Sequence, residues 1–540
     1  MSQTPKVEGL WLPFLILAGT CLLFSLVLPF FPVDETRYLS VAWEMKVHDS
    51  FIVPIQNALP YSHKPPLLFW LINLDWLLFG VNEGTLRFIP LIFSLFNVCL
   101  IYRIALQLWE DRKLALNAAV ILGSTFAYLL WSSIIMFDVL LSFWVLIAVS
   151  ALIRAGKEGR FGPFALAGVA IGGGILTKGP VVLVYILPVA LFAFWWRPRG
   201  EVTPRWYAWT FLSLLIGIAV VLVWLIPAAL TGGEVYRKAI LWGQTVNRMA
   251  NSFAHKRPLW WYFQWVPVLL APWIFFAPFW RGCRRLTLDA GTKLVLTWIV
   301  GGFVVFSLLS GKQVHYLIPL IPACSLLMAK AVSCCEESGR RFQLPIAVFY
   351  LLVGAAIMTL TFLKQGRALH SFDLGELRIA AGGLLLLGAA LSFPKPRDTS
   401  AALKLVAAST LPFVALVVVG CHTFSGRYDI HAVSAAVLKK QQEGYQVLHQ
   451  GKYHGQYHFM GRLQQPLLEL EGSDEIRRHA QTHEKVALVT YPREDQAVPP
   501  EEAFFRQPFR SKQVVLWNSR GILQNLEGAK AAASPAQGEQ

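Results

Sequence analysis

The sequence predicts a polytopic α-helical membrane protein. Of its 540 residues, 55% are hydrophobic and only 15% are charged, and the mean hydropathy is +0.50. This composition excludes an ordinary soluble protein and a disordered chain. A membrane-spanning helix needs about 20 mainly apolar residues, and about thirteen segments of the chain meet or approach that length.

The predicted spans follow one another through the first 420 residues. The first, residues 10–30, has no small-residue cleavage site, so we expect it to be retained as a signal anchor. The others are residues 88–108, 114–131, 139–153, 161–176, 181–196, 206–230, 261–280, 293–309, 316–332, 344–363, 379–393 and 403–420. The apolar segment 67–79 is short and contains Asp75, which predicts an interfacial helix.

The net charge of +16 is an orientation signal, because Lys and Arg lie mostly in short loops between apolar segments. With the N-terminus in the cytoplasm, every predicted cytoplasmic loop is basic, as the positive-inside rule requires. An odd number of spans then places the C-terminus outside. The seven Cys lie within or beside apolar segments and lack metal-binding spacing, so no disulfide framework is predicted.

The predicted membrane domain, residues 1–421, contains two long extracytoplasmic loops, residues 31–87 and 231–260. The second loop is basic, with Arg237, Lys238, Arg248, Lys256 and Arg257 against Glu234. An anionic ligand is therefore expected there, although outside loops of this length also tolerate cations.

Residues 422–540 are predicted to form a small extracytoplasmic α/β domain with a disordered tail. The composition becomes polar from Thr423, and the segments YQVLHQ, KVALVTY and KQVVLWN predict strands. Residues 430–442 predict a helix. The segment GKYHGQYHF in this region fits either a ligand-binding surface or a structural turn.

The first extracytoplasmic loop holds the main candidates for chemistry. Its segments DETRY and YSHKPP contain Asp34, Glu35, Arg37, Tyr38, Tyr61, His63 and Lys64. Fixed cations beside a Pro-Pro turn can bind and neutralise a phosphate, and a carboxylate at the membrane surface can activate an acceptor. The same DET sequence also fits the N-terminus of a helix in a solvated loop.

These two segments resemble the first extracytoplasmic loop of C-type (GT-C) membrane glycosyltransferases. The resemblance is to the ArnT-like aminoarabinose transferases, which are related to protein O-mannosyltransferases. It implies the GT-C fold, a bacterial inner-membrane location and an active site on the periplasmic face. It also implies inverting transfer of a sugar from a polyprenyl-phosphate donor, such as undecaprenyl phosphate, to a lipid acceptor such as lipid A or another glycolipid.

The resemblance also assigns roles to individual residues. It implies that Asp34 is the catalytic carboxylate, with Glu35 and Asp138 as further acids of the site. Asp138 lies in Phe137-Asp138-Val139 at the start of a predicted membrane helix, where a capping role is equally expected. For donor-phosphate binding the resemblance implies Arg37, Tyr38, Tyr61 and Lys64.

Two further motifs have an ambiguous role. In the family, Glu precedes the Lys of the Pro-Pro turn and is linked, with a later His, to a divalent metal. This chain has His63 in place of that Glu and His255 at the later position, and two His can hold Zn²⁺. Mg²⁺ or Mn²⁺ is the alternative divalent metal. Lys178, in GILTKGP, is expected either to reach the membrane interface or to join the phosphate site.

Two other functions stay open. A protein O-mannosyltransferase of the same superfamily would use a Ser or Thr acceptor. A transporter or flippase of lipid-linked sugars would use the Gly- and Pro-interrupted segment 172–180 as a broken helix. Residues 172–174 are expected to be glycines of close helix packing, in preference to a phosphate-binding loop. Nothing in the sequence indicates a nucleic-acid partner.

Overall fold

The computed structural model describes residues 9–197, 203–243, 257–335, 341–363 and 371–524. The chain divides into two compact units. The helical unit comprises Met1–Leu28 and Ser62–Thr423, and the sheet unit comprises Pro29–Tyr61 and Phe424–Gln540. The sequence placed residues 31–87 in the membrane domain. In the structure, residues 29–61 instead form one unit with the C-terminal region.

The helical unit confirms a polytopic helical membrane protein. In the described ranges, eight helices are long and apolar enough to cross a membrane. They are Phe88–Trp109, Phe137–Glu158, Pro204–Thr231, Ala290–Leu308, Val314–Ser333, Leu344–Leu363, Leu374–Ser392 and Thr399–Gly420. Shorter apolar helices are Trp11–Val27, Leu67–Phe79, Gly162–Lys178 and Val182–Leu191. The count of thirteen spans stays a prediction.

Three segments predicted as continuous spans are interrupted, and in one of them Val182–Leu191 is followed by the separate helix Ala193–Trp196. Residues 114–131 form the helices Arg112–Gly123 and Phe126–Trp131, because the hydroxyls of Ser124 and Thr125 donate to carbonyls four residues earlier. Residues 261–280 contain three prolines, which lack the N–H that a helix needs. The chain there forms Leu259–Trp265, Val266–Leu269, Trp273–Phe275 and Ala277–Cys283.

The other helical segments described in this unit are short. They are Ala193–Trp196, Gly233–Lys238, Ala239–Gly243 and the 3₁₀ turn Val314–Leu320, which leads into Ile321–Ser333. A further short helix, His422–Gly426, includes the boundary between the two units.

Glycines let the helices of this unit approach closely. A Cβ placed on Gly172 would lie 2.6 Å from Cβ of Val220 in the helix Pro204–Thr231, and one on Gly173 would lie 2.6 Å from the ring of Trp144. Real Cβ atoms do not approach that closely, so a larger residue would push the helices apart. The predicted packing role of residues 172–174 is confirmed.

The sheet unit is built on a mixed five-stranded sheet. Its strand order is Leu468–Leu470, Gln446–Gln450, Val486–Thr490, Lys512–Trp517 and Ala503–Phe509. The first three strands pair in parallel. The strand Lys512–Trp517 pairs antiparallel with both of its neighbours. Leu488 of the central strand lies opposite Leu448 on one side and Trp517 on the other. The helices of this part are His431–Gln442, Gln456–Gly461, Ser473–Thr482 and the 3₁₀ turn Pro500–Glu502. All five residues of Val486–Thr490 are buried, as expected for a central strand.

The first loop contributes a helix and a hairpin to this unit. We call Asp34–Val47 the acidic helix, and the hairpin pairs Ile55–Gln56 with Leu59–Pro60. The Trp43 indole donates to the Leu463 carbonyl at 2.8 Å, across 420 residues of chain. The Asn57 side chain donates to the Leu467 carbonyl at 2.9 Å and accepts from its N–H at 2.8 Å. These contacts join residues 29–61 to the C-terminal region.

Candidate active site

The acidic helix begins at the first residue of DETRY. Asp34 and Glu35 lie in its first turn, where negative charge is favourable because the N-terminal N–H groups carry partial positive charge. Neither acid is the cap, since the cap residue is Val33 and it makes no side-chain capping bond. The expectation of a helix N-terminus at this motif is therefore confirmed, and it leaves the Asp34 carboxylate available for other contacts.

Asp34, Arg37 and Tyr38 form one cluster on the acidic helix. The Arg37 guanidinium makes an ion pair with Asp34 Oδ1, and the Tyr38 hydroxyl lies 3.5 Å from the same oxygen. The side chain of Asp34 is 52% exposed and that of Arg37 is 21% exposed. The cluster thus presents a carboxylate to solvent beside a held cation.

The surroundings of Arg37 and Tyr38 determine the charge of each side chain. Burial tends to lower the pKa of Arg37, but Tyr61, Tyr38 and Asp34 together raise it above its usual value. Burial and the Asp34 carboxylate raise the pKa of Tyr38 well above its usual value, although Arg37 opposes them. Arg37 is therefore a cation and Tyr38 a neutral hydrogen-bond donor at neutral pH.

The two other acids of the acidic helix contact backbone groups. Glu35 is buried, and its carboxylate accepts from the Phe31 N–H at 2.9 Å, which holds the chain entering the helix. Glu44 is also buried and accepts from the N–H groups of Asn57 and Ala58 at 2.7 and 2.8 Å. Both turn residues have positive φ, so Glu44 fixes a hairpin turn that L-residues rarely adopt. Burial raises the pKa of Glu44 from 4.5 to about 7, against the two hydrogen bonds.

A second group of candidates lies in the helical unit. The Lys64 ammonium lies 5.6 Å from the centre of the Phe137 ring, next in sequence to Asp138. Asp138 is fully buried, and its Oδ1 lies 2.5 Å from the ammonium of Lys178, which is itself 6% exposed. Asp138 thus links the helices Phe137–Glu158 and Gly162–Lys178. It makes no helix cap, contrary to the capping interpretation.

Sequence reasoning missed Lys178 as the partner of Asp138. The GILTKGP motif singled out the lysine, but 40 residues separate it from Asp138, and no spacing rule connects the two. The Lys178 ammonium also lies 5.3 Å from the centre of the Tyr316 ring. The backbone carbonyl of Tyr316 accepts a hydrogen bond from the Tyr185 hydroxyl at 2.7 Å. Lys178 is therefore a buried partner of Asp138 that also lies against the Tyr316 ring.

One of the two predicted metal ligands lies within the described residues. His63 is exposed in the turn before the helix Leu67–Phe79, and His255 lies outside the described residues. Within the ranges that the structure covers, no group of three or more His, Cys, Asp or Glu could hold a metal ion. A divalent metal therefore stays a prediction, and no step below depends on it.

The GKYHGQYHF segment is mostly buried, so it is a structural network and not an open surface. The Tyr491 hydroxyl lies 2.6 Å from the Tyr457 hydroxyl and 3.1 Å from His449 Nε2, and it accepts from Gln456 Nε2 at 2.8 Å. Burial raises the pKa of Tyr491 to about 12 and lowers that of His449 to about 4, so both groups are neutral.

Comparisons with known proteins agree with the sequence motifs. The family model for dolichyl-phosphate-mannose-protein mannosyltransferases matches residues 27–233. The undecaprenyl phosphate-alpha-4-amino-4-deoxy-L-arabinose arabinosyl transferase of Enterobacter sp. (strain 638) is 26% identical over 377 residues, 66% of either chain. The same enzyme of Yersinia pestis (strain Pestoides F) is 26% identical over 335 residues, 60% of this chain and 59% of that one. The match thus spans about three fifths to two thirds of these relatives.

The fold is that of a solved C-type glycosyltransferase. The crystal structure of ArnT from Cupriavidus metallidurans bound to undecaprenyl phosphate has a TM-score of 0.71 at 18% identity, covering 95% of this chain and 98% of that one. At that identity the similarity shows the fold. The resemblance to ArnT-like GT-C proteins is confirmed in both sequence and fold.

Proposed function

We propose, from this likeness, that the protein is an inverting glycosyltransferase on the periplasmic face of the bacterial inner membrane. It would transfer a sugar from a polyprenyl-phosphate donor to a lipid acceptor such as lipid A or another glycolipid. The observation that carries the proposal is the Asp34–Arg37 pair, an exposed carboxylate held beside a cation at the start of a helix.

The donor chemistry requires cations at the leaving group. A polyprenyl-phosphate sugar is a phosphodiester with one negative charge, and breaking its bond to the anomeric carbon leaves a phosphate monoester that gains a second charge. Fixed cations and hydroxyl donors stabilise that charge as it develops. We propose this role for Arg37, Tyr38, Tyr61 and Lys64, the residues that the sequence motifs imply.

The acceptor chemistry determines what Asp34 does. An acceptor hydroxyl attacks the anomeric carbon from the side opposite the phosphate, and Asp34 takes the hydroxyl proton as the new C–O bond forms. An acceptor phosphate is already an anion and needs no base, so Asp34 would then orient the sugar or the acceptor. Glu35 and Asp138 are proposed to hold the surrounding backbone and helices, because each is buried in structural contacts.

A protein O-mannosyltransferase activity is the second candidate, and the family match over residues 27–233 favours it. Such an enzyme would place the sugar on Ser or Thr of a protein. The two candidates share the donor chemistry and differ in the acceptor.

The first experiment uses purified full-length protein in detergent with a panel of polyprenyl-phosphate sugars carrying a labelled sugar. Free lipid phosphate and the destination of the label are followed with a lipid A acceptor and with a Ser/Thr-rich protein acceptor. Label on lipid supports the main proposal, and label on protein supports the second candidate. No turnover with any donor and acceptor, together with movement of lipid-linked sugar across vesicles, would overturn both.

The donor-phosphate role is tested with Lys64→Ala. We expect polyprenyl-phosphate binding to weaken about tenfold or more, because a charge-assisted hydrogen bond contributes about 1.5–3 kcal/mol. Lys46→Ala, an exposed lysine of the acidic helix, is the matched control and should bind normally. Normal donor affinity in Lys64→Ala would contradict the role.

The metal prediction has its own test. Native protein is treated with a chelator and then given Zn²⁺, Mg²⁺ or Mn²⁺, beside His63→Ala treated in the same way. A loss of transfer that one of these ions restores in the native protein but not in the variant supports a metal at His63 and His255. Undiminished transfer after chelation contradicts it.

The topology belongs to the same proposal: thirteen spans, the N-terminus in the cytoplasm and the C-terminus in the periplasm. A C-terminal reporter that is active only in the periplasm tests it. We expect an active reporter, and an inactive one in a stably expressed fusion would contradict this orientation.

A further inference from the structure

The two residues that lead into the acidic helix are held by contacts from within the sheet unit. The Phe31 N–H donates to the Glu35 carboxylate at 2.9 Å. The Phe31 ring also packs edge-on against the Tyr428 ring, with 5.8 Å between the ring centres. The backbone immediately before Asp34 is therefore restrained, although the Asp34 carboxylate itself is exposed.

Arg510 holds the same two residues from the sheet. Its guanidinium donates to the Pro32 carbonyl, which lies two residues before Asp34 in the chain. The guanidinium carbon of Arg510 lies 5.9 Å from the centre of the Tyr428 ring, the ring that also contacts Phe31. One arginine thus contacts both the backbone that enters the acidic helix and the aromatic ring packed on it.

Arg510 occupies a turn position that an arginine rarely fills. Arg510 and Ser511 are the two-residue connection between the paired strands Ala503–Phe509 and Lys512–Trp517. The φ angle of Arg510 is +55°. Two-residue hairpin turns with positive φ favour Asn, Asp or Gly, because most other side chains are strained there. The turn gives no reason for an arginine, so its side chain is the feature that needs a function.

Arg427 fixes the backbone from which the Arg510 side chain extends. The Arg510 N–H donates to the Arg427 carbonyl at 3.1 Å, and the Arg510 carbonyl accepts from Arg427 Nε at 2.7 Å. Arg427 also makes an ion pair with Glu494, and its side chain is only 13% exposed. The Arg510 side chain therefore begins at a fixed backbone and ends on a carbonyl, which restricts it at both ends.

Resting on the proposed function, we propose that Arg510 is a positioning residue of sugar transfer that acts through the backbone at the start of the acidic helix. By holding the Pro32 carbonyl, it fixes where the helix begins and so where the Asp34 carboxylate stands. A displacement of about 1 Å at a reacting group can lower a rate about 10²-fold. Arg37 and Tyr38 lie a turn further along the helix, so Arg510 affects turnover more than donor binding.

The test uses Arg510→Gly, which removes the side chain and suits the turn, because Gly adopts a positive φ without strain. We expect kcat to fall about tenfold or more with the acceptor that the native protein uses. Polyprenyl-phosphate affinity and the melting temperature should stay near their native values. Arg462→Gly is the matched control, since Arg462 also has a positive φ, of 52°, and donates to the Phe459 carbonyl of its own segment. Its kcat should stay native.

A second measurement separates the side chain from the turn. Guanidinium chloride at millimolar concentration, far below the range that unfolds proteins, supplies the lost hydrogen-bond donor. It should raise the kcat of Arg510→Gly and leave the native protein and Arg462→Gly unchanged. A merely structural turn residue would not respond in this way, because Gly already satisfies the turn.

The outcomes separate this inference from the proposed function. Native protein that transfers sugar, with Arg510→Gly matching its kcat, overturns the inference alone. A lower melting temperature with native kcat for the folded variant also overturns it, because Arg510 would then serve stability only. Native protein that transfers no sugar overturns the proposed function.

Discussion

Two carboxylates of this protein, Asp34 and Asp138, are each paired with a cation, and the pairs differ in burial. Asp34 is 52% exposed beside Arg37, whereas Asp138 is fully buried beside Lys178. An exposed ion pair contributes about 0–1 kcal/mol to stability, because water screens it. Breaking a buried pair costs about 3–5 kcal/mol, because one charge is left without a partner in an apolar environment. From this comparison we propose a role in sugar transfer for Asp34 and a structural role for Asp138.

The largest expected effect is on the activity of Asp34→Asn. If Asp34 takes the acceptor proton, turnover should fall about 10²–10⁴-fold, the usual contribution of a general base. The melting temperature should stay near that of the native protein, since the carboxylate is exposed. Turnover is measured as release of free lipid phosphate with a hydroxyl acceptor.

The control for Asp34→Asn is Asp49→Asn, the same change at an exposed acid of the same loop. Asp49 has a positive φ of 48°, which Asn adopts readily, so the control should fold and transfer normally. Native turnover in Asp34→Asn with a hydroxyl acceptor would remove the base role. A loss of turnover with hydroxyl acceptors but not with phosphate acceptors would identify Asp34 as a base and not as an orienting group.

The next effect is on the stability of Asp138→Asn. Removing this charge leaves the Lys178 ammonium buried without its partner, so we expect a loss of about 3–5 kcal/mol. The measurement is thermal unfolding in detergent, followed by a fluorescence signal of the buried tryptophans. The double variant Asp138→Asn with Lys178→Met removes both charges and should regain much of the loss. No destabilisation in the single variant would mean that the pair is not structural.

A smaller effect concerns the buried carboxyl of Glu44. Burial raises its pKa from the ordinary value of 4.5 to about 7 in the folded chain. Between these values the folded chain keeps a proton that the unfolded chain loses, so stability falls as pH rises through this window. The loss is about 3 kcal/mol, at about 1.4 kcal/mol for each pKa unit. Glu44→Gln should flatten the curve of melting temperature against pH between about pH 4.5 and pH 7. An unchanged slope would contradict the assignment.

The smallest expected effect is that of Arg37→Lys. The substitution keeps the charge but loses the planar guanidinium that can bind two phosphate oxygens at once. We expect polyprenyl-phosphate affinity to fall a few-fold and stability to change by less than about 1 kcal/mol. Binding is measured by displacement of a labelled polyprenyl phosphate. A larger loss of stability than of binding would make Arg37 a structural residue, as Lys178 is.

Much of the candidate site could be predicted from local sequence. DETRY marked the start of a helix and the cluster of Asp34, Arg37 and Tyr38, because residues three and four apart lie on one face of a helix. The burial of Glu35 could not be read from the same motif, since two adjacent acids look alike in sequence. The hydrogen bond between the Trp43 indole and the Leu463 carbonyl had no local signal, because 420 residues of chain separate the two groups.

The sequence by itself determined the membrane class, the resemblance to C-type glycosyltransferases and the strands of the C-terminal region. These features depend on hydropathy, periodicity and short motifs, which act over a few residues to about twenty. Only the tertiary structure decided that residues 29–61 fold with the C-terminal sheet and that Asp138 pairs with Lys178. Such pairings depend on side chains meeting across 40 to 420 residues of chain, where complementary shape and charge leave no periodic pattern.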